Sequence, residues 1–454
     1  MPEQITNCPP EPETPPPGQD LTCPDDPRLV NTWLPVTPPV SSCKPLPHPA
    51  RECLFYQFAW QNFLLATQPD ASGKPAFLSW NIIENTFGAH AGEPTPAVPV
   101  LTGGVTQAGG RQVLVDQKGH AIYYGIHFNQ PFVDFVRAYG LTDAEAIKDA
   151  DPNLTFPTTK NIVELKTAWM IVDDAAPPAN FITTRAKVAT LKVAGNRIEE
   201  DRTALRDVTV ALIAMHVVYT LPGHPEFVWS SFQHVNPSNV PDVAPSAAAL
   251  PPRGGLRPTQ VISPLDHLLY KGGTPVSATN KGVVFGPMFD EATQTFAPAQ
   301  ISNIYRVFPG SKSTDPVIDD DVSAITDNMI AMFKAKKATL SPADKRPNYL
   351  LVGAIWQDRP ERTFKLDSVL VNPAGVGPDN PASITGGEDT MSSTAMESFT
   401  QAADSFPNCF TCHDTRTATA TGVPAAKDST APVTLPPKMI NVSHVFNEVV
   451  REGL

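Results

Sequence analysis

The sequence predicts an α+β fold in which a β-rich, loop-rich N-terminal body is fused to a small helical region. The chain has 454 residues, and its 41% hydrophobic content with 22 Phe can build a substantial core. Its 50 Pro and 27 Gly require many turns. Because proline fixes φ and lacks a backbone donor, this composition disfavours a helix bundle. We expect an extended arm over residues 1–52, an α+β body over 53–385 and the helical region over 386–454.

The body shows both kinds of hydrophobic periodicity. Residues 53–67 are dense in aromatic side chains and lack Pro and Gly, which predicts a buried first helix. Apolar and polar residues alternate on either side of Lys118-Gly119, which predicts a β-hairpin over 111–128. Further strands are expected at 162–172, 186–193, 208–219 and 349–356, and further helices at 130–139 and 321–336.

A histidine-rich segment, residues 216–237, departs from this pattern. It contains three histidines, three prolines and Trp229. The histidines could bind a metal, but no carboxylate or thiol stands at a clear ligand spacing. The segment therefore predicts a structural loop that packs against the C-terminal region.

The most specific motif is Cys409-Phe410-Thr411-Cys412-His413, which has the C-x-x-C-H spacing of covalent c-type haem attachment. Two thiols about one helical turn apart can add across the two vinyl groups of a porphyrin, and the adjacent imidazole can then reach the iron. Redox dithiols and zinc sites also use C-x-x-C, but no second C-x-x-C completes a zinc site. The motif predicts one covalent haem c, with Cys409 and Cys412 as attachment points and His413 as the proximal iron ligand.

The sixth iron ligand has several candidates. Met439 is the best local one, because two prolines stiffen the chain before it and a thioether opposite histidine favours electron transfer. A gap-filling role in the core is the competing interpretation of Met439. His444 could ligate instead, or the iron could be open and face a histidine of the body. The body candidates are His120, His127, His216, His224 and His234.

Four of the six cysteines fall in the first 53 residues, in a proline-rich segment without apolar periodicity. They are Cys8, Cys23, Cys43 and Cys53. An even number of cysteines in such an arm predicts two disulfides of undetermined connectivity, with four free thiols as the competing interpretation. Residues 1–4 begin no signal peptide, and we expect the leader to have been removed before this numbering starts.

Composition also bears on partners. The net charge of −12 argues against nucleic acid, whose phosphates it would repel. It suits a basic redox partner. The longest apolar run, residues 208–219, falls short of the roughly 20 residues that a membrane span needs. We expect no transmembrane segment, and a redox partner protein or small-molecule substrate.

Several segments resemble a group of long bacterial single-haem cytochrome c family proteins. These segments are FYQFAWQNFLLAT, FVWSSFQHVN, NYLLVGAIW and TAMESFTQ with CFTCH, and they span most of residues 53–413. The resemblance implies a periplasmic or secreted c-type cytochrome with a large non-cytochrome region and no assigned reaction. It carries over Cys409, Cys412 and His413 as functional residues.

The C-terminal region itself resembles a trimmed cytochrome c core. A helix over 391–403, the C-x-x-C-H motif, a loop, a methionine and a closing helix over 442–450 are expected in that order. Such a region is too small to shield a porphyrin alone, so the body must supply the rest of the pocket.

Two functions of different class follow. The first is electron transfer by an extracytoplasmic mono-haem c-type cytochrome whose iron cycles between Fe(III) and Fe(II). The second is a haem-dependent oxidoreductase that acts on peroxide, oxygen or a small molecule in a pocket built by the body, and the size of the body favours it. A structural role with a vestigial haem ranks third. We favour electron transfer as the broad class.

Overall fold

The structure, a computed structural model, describes residues 52–101, 103–109, 112–195, 197–235, 243–246, 256–282, 288–307, 320–337, 340–341, 344–371, 384–387, 393–401, 409–419 and 432–454. Residues 1–51 of the predicted arm lie outside the described residues. So do Cys8, Cys23, Cys43 and the side chain of Cys53, and the disulfides therefore stay a prediction.

An eight-stranded sheet forms the centre of the molecule, and two short ladders accompany it. The strands are β1 (Val100–Leu101), β2 (Tyr123–Phe128), β3 (Val163–Val172), β4 (Thr183–Ala194), β5 (Arg197–Leu221), β6 (His224–His234), β7 (Phe289–Asp290), β8 (Thr295–Phe296), β9 (Tyr349–Gln357), β10 (Thr385–Gly387), β11 (Ala418–Thr419) and β12 (Val433–Leu435). β7 pairs with β8, and β11 pairs with β12. In the main sheet only β1 and β4 run parallel among the described pairs.

The long strand β5 holds the main sheet together. It pairs with β3 and, in different stretches, with β4 and β6; β2 extends the sheet beyond β3, and β9 and β10 extend it beyond β6. Residues 209–221 of β5 are buried throughout. A continuous apolar run of this kind is typical of a strand that is covered on both faces.

The α-helices of the described residues are α1 (Glu52–Ala66), α2 (Ile83–Thr86), α3 (Gln130–Ala138), α4 (Ala144–Asp149), α5 (Asp320–Ala335), α6 (Pro360–Thr363) and α7 (His444–Glu452). Two of them cover the first face of the sheet, which we call the helix face. α1 and α5 lie on this face, where Phe63 of α1 stacks on Phe232 at 4.2 Å and Phe55 stacks on Trp356 at 3.9 Å between ring centroids. Its core is apolar and rich in aromatic rings.

The opposite face, which we call the motif face, carries polar residues in its centre. Lys166, His216 and Ser231 are Cα partners in one row across β3, β5 and β6. Glu164, Val218 and Trp229 form the next row. Residues 393–401, 409–419 and 432–454 contribute to the cover of this face, so the C-terminal region packs directly on the body.

Most of the predicted elements are confirmed, and so is the α+β class. The helices expected at 53–67, 130–139, 321–336 and 442–450 and all four further strands are present, within a few residues of the expected ends except for the longer β5. The predicted hairpin over 111–128 is only partly present. An isolated bridge joins Val115 to Ala121 around the turn, but β2 pairs with β3 rather than with residues 111–117.

Two local predictions are wrong. In the described part of 391–403, residues 393–401 form successive turns instead of a helix. The segment 216–237 is not a loop: it is largely the hairpin of β5 and β6, in which Gly223 takes a φ of +88°. Its predicted contact with the C-terminal region is confirmed, because Trp229 packs on His413.

None of the helices in the described residues is long and apolar enough to cross a membrane.

Candidate functional site

The C-x-x-C-H motif begins with one turn of 3₁₀ helix, Cys409–Thr411. The backbone N–H of His413 donates to Cys409 O at 2.9 Å, which closes a helical turn. Phe410 is fully buried in the apolar core of the motif face, whereas Thr411 is exposed. The local fold thus anchors the motif by its phenylalanine, and both cysteines are half-buried.

Neither motif cysteine is in a disulfide, and burial raises the pKa of both thiols. A redox dithiol needs a thiol whose pKa is lowered by nearby positive charge or a helix N-terminus. The environment of Cys409 and Cys412 does the opposite. This argues against the dithiol interpretation of C-x-x-C.

His413 is held in one orientation by contacts on three sides. Its Nδ1 lies 2.8 Å from the carbonyl oxygen of Val442. Its ring lies between Trp229, at 3.9 Å, and His444, at 3.7 Å between ring centroids. Because a carbonyl can only accept, Nδ1 must carry the proton, and Nε2 keeps its lone pair.

This arrangement is the one that a metal-bound histidine requires. A backbone carbonyl on one ring nitrogen fixes the tautomer and makes the other nitrogen the ligand. Burial also lowers the pKa of His413 well below its ordinary value, with the neighbouring His444 adding to the effect. The imidazole is therefore neutral at physiological pH.

His444 supports His413 rather than facing it. The two rings are stacked with an angle of 22° between their planes. Nε2 of His444 lies 2.9 Å from Cys412 O and donates to it, and burial lowers the pKa of this histidine to about 4. A ring that stacks on the face of His413 lies beside that imidazole and not in line with its Nε2, so this geometry favours a packing role for His444.

Met439 lies in a 3₁₀ turn, Met439–Val442, whose last residue contacts His413. Its backbone N–H donates to Pro152 O at 2.8 Å, and its side chain is buried in the apolar core of the motif face. The turn thus lies on the Nδ1 side of the imidazole. Nε2 is on the other side of the ring.

Of the five body histidines, His216 is the one that lies on the motif face beside the C-terminal region. Its Nε2 donates to Glu397 Oε1 at 2.6 Å, and its Nδ1 shares a hydrogen bond of 2.5 Å with Ser231 Oγ. Glu397 Oε2 accepts the backbone N–H of Ser393 at 2.7 Å. This chain of bonds ties residues 393–401 to the centre of the sheet.

The other four body histidines lie elsewhere. His127 is buried on the helix face against Phe77, and burial lowers its pKa to about 3. His224 pairs with Glu226 near the tip of the β5–β6 hairpin. His234 stacks on a phenylalanine ring, and His120 sits 3.7 Å from Asp116 in the turn after Val115. None of these four has a described contact with the motif.

The sequence analysis did not predict two titratable residues of β3 that lie at this site. Glu164 accepts a hydrogen bond from Ser443 Oγ at 2.6 Å, and burial raises its pKa to about 7. Lys166 donates from Nζ to Gln107 O at 2.8 Å, and its charge acts on Cys412. The sequence signal for both is that charged residues stand at alternate positions of a predicted buried strand. Burying a charge is costly unless it has a role or a partner, so such residues are candidates for a site.

The residues of this site fit a covalently attached haem. The two cysteines are half-buried and in no disulfide, and His413 presents a neutral nitrogen whose orientation is fixed. Trp229 Nε1 beside His413 is buried and has no hydrogen-bond partner among the described residues. Those residues contain no group of three or more His, Cys, Asp or Glu that could hold a bare metal ion, but a haem iron needs only axial ligands from the protein.

Comparisons with protein-family models, curated proteins and solved structures gave no match.

Proposed function

We propose that this protein is an extracytoplasmic mono-haem c-type cytochrome that acts in electron transfer. The hydrogen bond between His413 Nδ1 and Val442 O is the main support, because it presents Nε2 as a ligand next to two unpaired thiols. A haem bound there would supply a one-electron Fe(III)/Fe(II) couple. Cys409 and Cys412 would hold it covalently, and His413 would be the proximal ligand.

The protein's own contribution to such a site is orientation and burial. Trp229 and His444 clamp the His413 ring, and Phe410 fixes the turn that carries both thiols. An axial ligand that is held in one geometry needs little rearrangement when the charge of the iron changes. A partner protein, basic in view of the net charge of −12, would exchange the electron.

Met439 remains the sixth ligand predicted from the sequence, but the Val442 bond argues against it. A porphyrin plane separates the two axial ligands. Met439 precedes Val442 by three residues, and three residues span at most about 11 Å. With Val442 held on the Nδ1 side of His413, the Met439 side chain would lie on the side of the imidazole away from Nε2, the nitrogen that would hold the iron.

A haem-dependent oxidoreductase is the alternative, and one observation favours it. Lys166, His216 and Glu397 bring ionisable groups to the motif face next to the thiols. Buried acid–base groups near a haem with an open position could move protons to or from a bound peroxide, oxygen or small molecule. Visible and resonance Raman spectra in both redox states separate the two functions, since electron transfer predicts a low-spin iron and an open site a high-spin one.

Acid–acetone extraction of the purified protein tests the proposal directly. The colour should stay with the protein, because thioether bonds survive the extraction. Cys412→Ala should leave a singly attached, unstable haem, and His413→Ala should keep the attachment but disrupt the iron site. Haem that extracts freely from the wild-type protein would refute the proposal.

The periplasmic or secreted location is tested at the cysteines of the arm. If Cys8, Cys23, Cys43 and Cys53 form two disulfides, thiol titration of the denatured, unreduced holoprotein should find no free cysteine. Each unstrained disulfide would then contribute roughly 2–4 kcal/mol. Four reactive thiols would remove this support for an oxidising compartment.

A further inference from the structure

Lys166 is a basic residue in the middle of the motif face. It is the Cα partner of both Ile126 on β2 and His216 on β5. Its Nζ donates to Gln107 O and lies 5.5 Å from the centre of the Tyr124 ring. Among the described residues, no carboxylate oxygen lies within 4.0 Å of it.

The carboxylates whose charges act on Lys166 are engaged elsewhere. Glu397 bonds to His216 and to the backbone of Ser393, and Glu164 bonds to Ser443. Glu448 lies 3.4 Å from a guanidinium of α7. An ammonium has three N–H donors, and the only hydrogen bond described for Lys166 uses one of them.

Lys166 lies close to the motif on the sheet. Its row is next to that of Glu164, Val218 and Trp229, and the Trp229 ring packs on His413. Lys166 and Arg416 are the described cations whose charges act on the Cys412 sulfur. Arg416 is already bound to the buried carboxylate of Asp414 at 2.6 Å. Among the described residues, Lys166 is therefore the cation near Cys412 whose hydrogen bonds leave N–H donors unused.

From this geometry we infer that Lys166 binds a carboxylate group beside Cys409 and Cys412. A partly buried ammonium gains most from an anion that replaces the water it has lost. The inference rests on the proposed function in one respect: a haem attached at the motif would bring two propionate carboxylates, and one of these or a free carboxylate could be the ligand.

The test compares four holoproteins: the wild type, Lys166→Met, Lys166→Arg and Lys187→Met. Lys187 is an exposed residue of β4 paired with Asp207, so its replacement makes the same charge change away from the motif. Lys166→Gln serves as the second neutral variant should Lys166→Met not fold. Acid–acetone extraction is run on each protein so that haem retention is scored separately from carboxylate binding.

Two readouts distinguish the sources of the carboxylate. If the ligand is a haem propionate, the propionate bending band in the resonance Raman spectrum shifts in Lys166→Met, while Lys166→Arg and Lys187→Met resemble the wild type. If it is a free carboxylate, that band stays in place. Sodium acetate then raises the melting temperature of the wild type, but not of Lys166→Met, relative to sodium chloride at equal ionic strength.

Either pattern supports the inference and assigns the source. A Lys166→Met holoprotein with an unshifted propionate band and the acetate response of the wild type would overturn it, although the haem proposal would stand. Freely extractable haem in the wild type would overturn the haem proposal instead, and the acetate comparison would still decide on Lys166.

Discussion

The two faces of the central sheet are built from the same strands but differ in what they bury. On the helix face, rings from α1 meet rings from β6 and β9, such as Phe63 on Phe232. On the motif face, alternate residues of the same strands include Glu164, Lys166 and His216. The first face is stabilised mainly by apolar packing, whereas buried charges on the second cost free energy unless they are paired. The motif face is therefore stabilised by polar contacts as well as by packing.

The largest expected effect comes from a matched pair of aromatic residues on β6. Trp229 lies on the motif face and Phe232 on the helix face, and both are buried. Replacing either one by alanine should destabilise the protein by about 3–5 kcal/mol, because each leaves a large cavity. Urea unfolding measures this loss.

Only Trp229→Ala should also change the haem spectrum, because only Trp229 contacts His413. Visible spectra of both holoproteins provide the comparison. Equal spectral changes in Trp229→Ala and Phe232→Ala would show that the two faces are not functionally distinct.

A smaller effect is expected at Met439. Met439→Ala should cost about 2–4 kcal/mol, since it removes a buried side chain from the apolar core of the motif face. The visible spectrum should stay the same, because the Met439–Val442 turn lies on the Nδ1 side of His413. A red-end sulfur-to-iron band in the wild type that disappears in Met439→Ala would instead identify the sulfur as the sixth ligand.

The smallest effect concerns the pH dependence of Glu164. Burial raises its pKa from 4.5 to about 7, so the folded state favours the protonated carboxyl. Its stabilising contribution is complete below pH 4.5 and is lost as the pH rises through 7. Partial exposure reduces the effect to on the order of 1–2 kcal/mol.

Glu164→Gln removes this titration and should therefore gain stability relative to the wild type between pH 5 and pH 8.5. Urea unfolding of both proteins at about these two pH values measures the difference. A constant difference between variant and wild type across that range would show that Glu164 keeps its ordinary pKa.

Local patterns in the sequence predict the elements of this fold well. The apolar run at 349–356 is β9, and the aromatic-rich segment at 53–67 is α1. The helix expected at 391–403 fails for a physical reason. Ser and Thr side chains compete for backbone groups there: Ser398 Oγ donates to Thr394 O and Thr400 Oγ1 donates to Glu397 O.

The candidate site is predictable only in part. The C-x-x-C-H motif is contiguous, so its thiols and imidazole can be read directly. The cluster of Lys166, His216 and Glu397 depends on the register of β3 against β5 and on a distant segment that crosses the sheet. A shift of one residue in that register would turn these side chains to the other face, and no local pattern fixes it.

The bond that orients His413 has a consequence for the timing of assembly. Val442 lies 29 residues after the histidine that it fixes. In a chain that is exported from its N-terminus, the motif reaches the new compartment before this carbonyl does. During that interval the bond from Nδ1 to Val442 O cannot form, so the imidazole is free to rotate. Docking of the Met439–Val442 turn would end this freedom, so the orientation of His413 is set only when the chain behind it has closed.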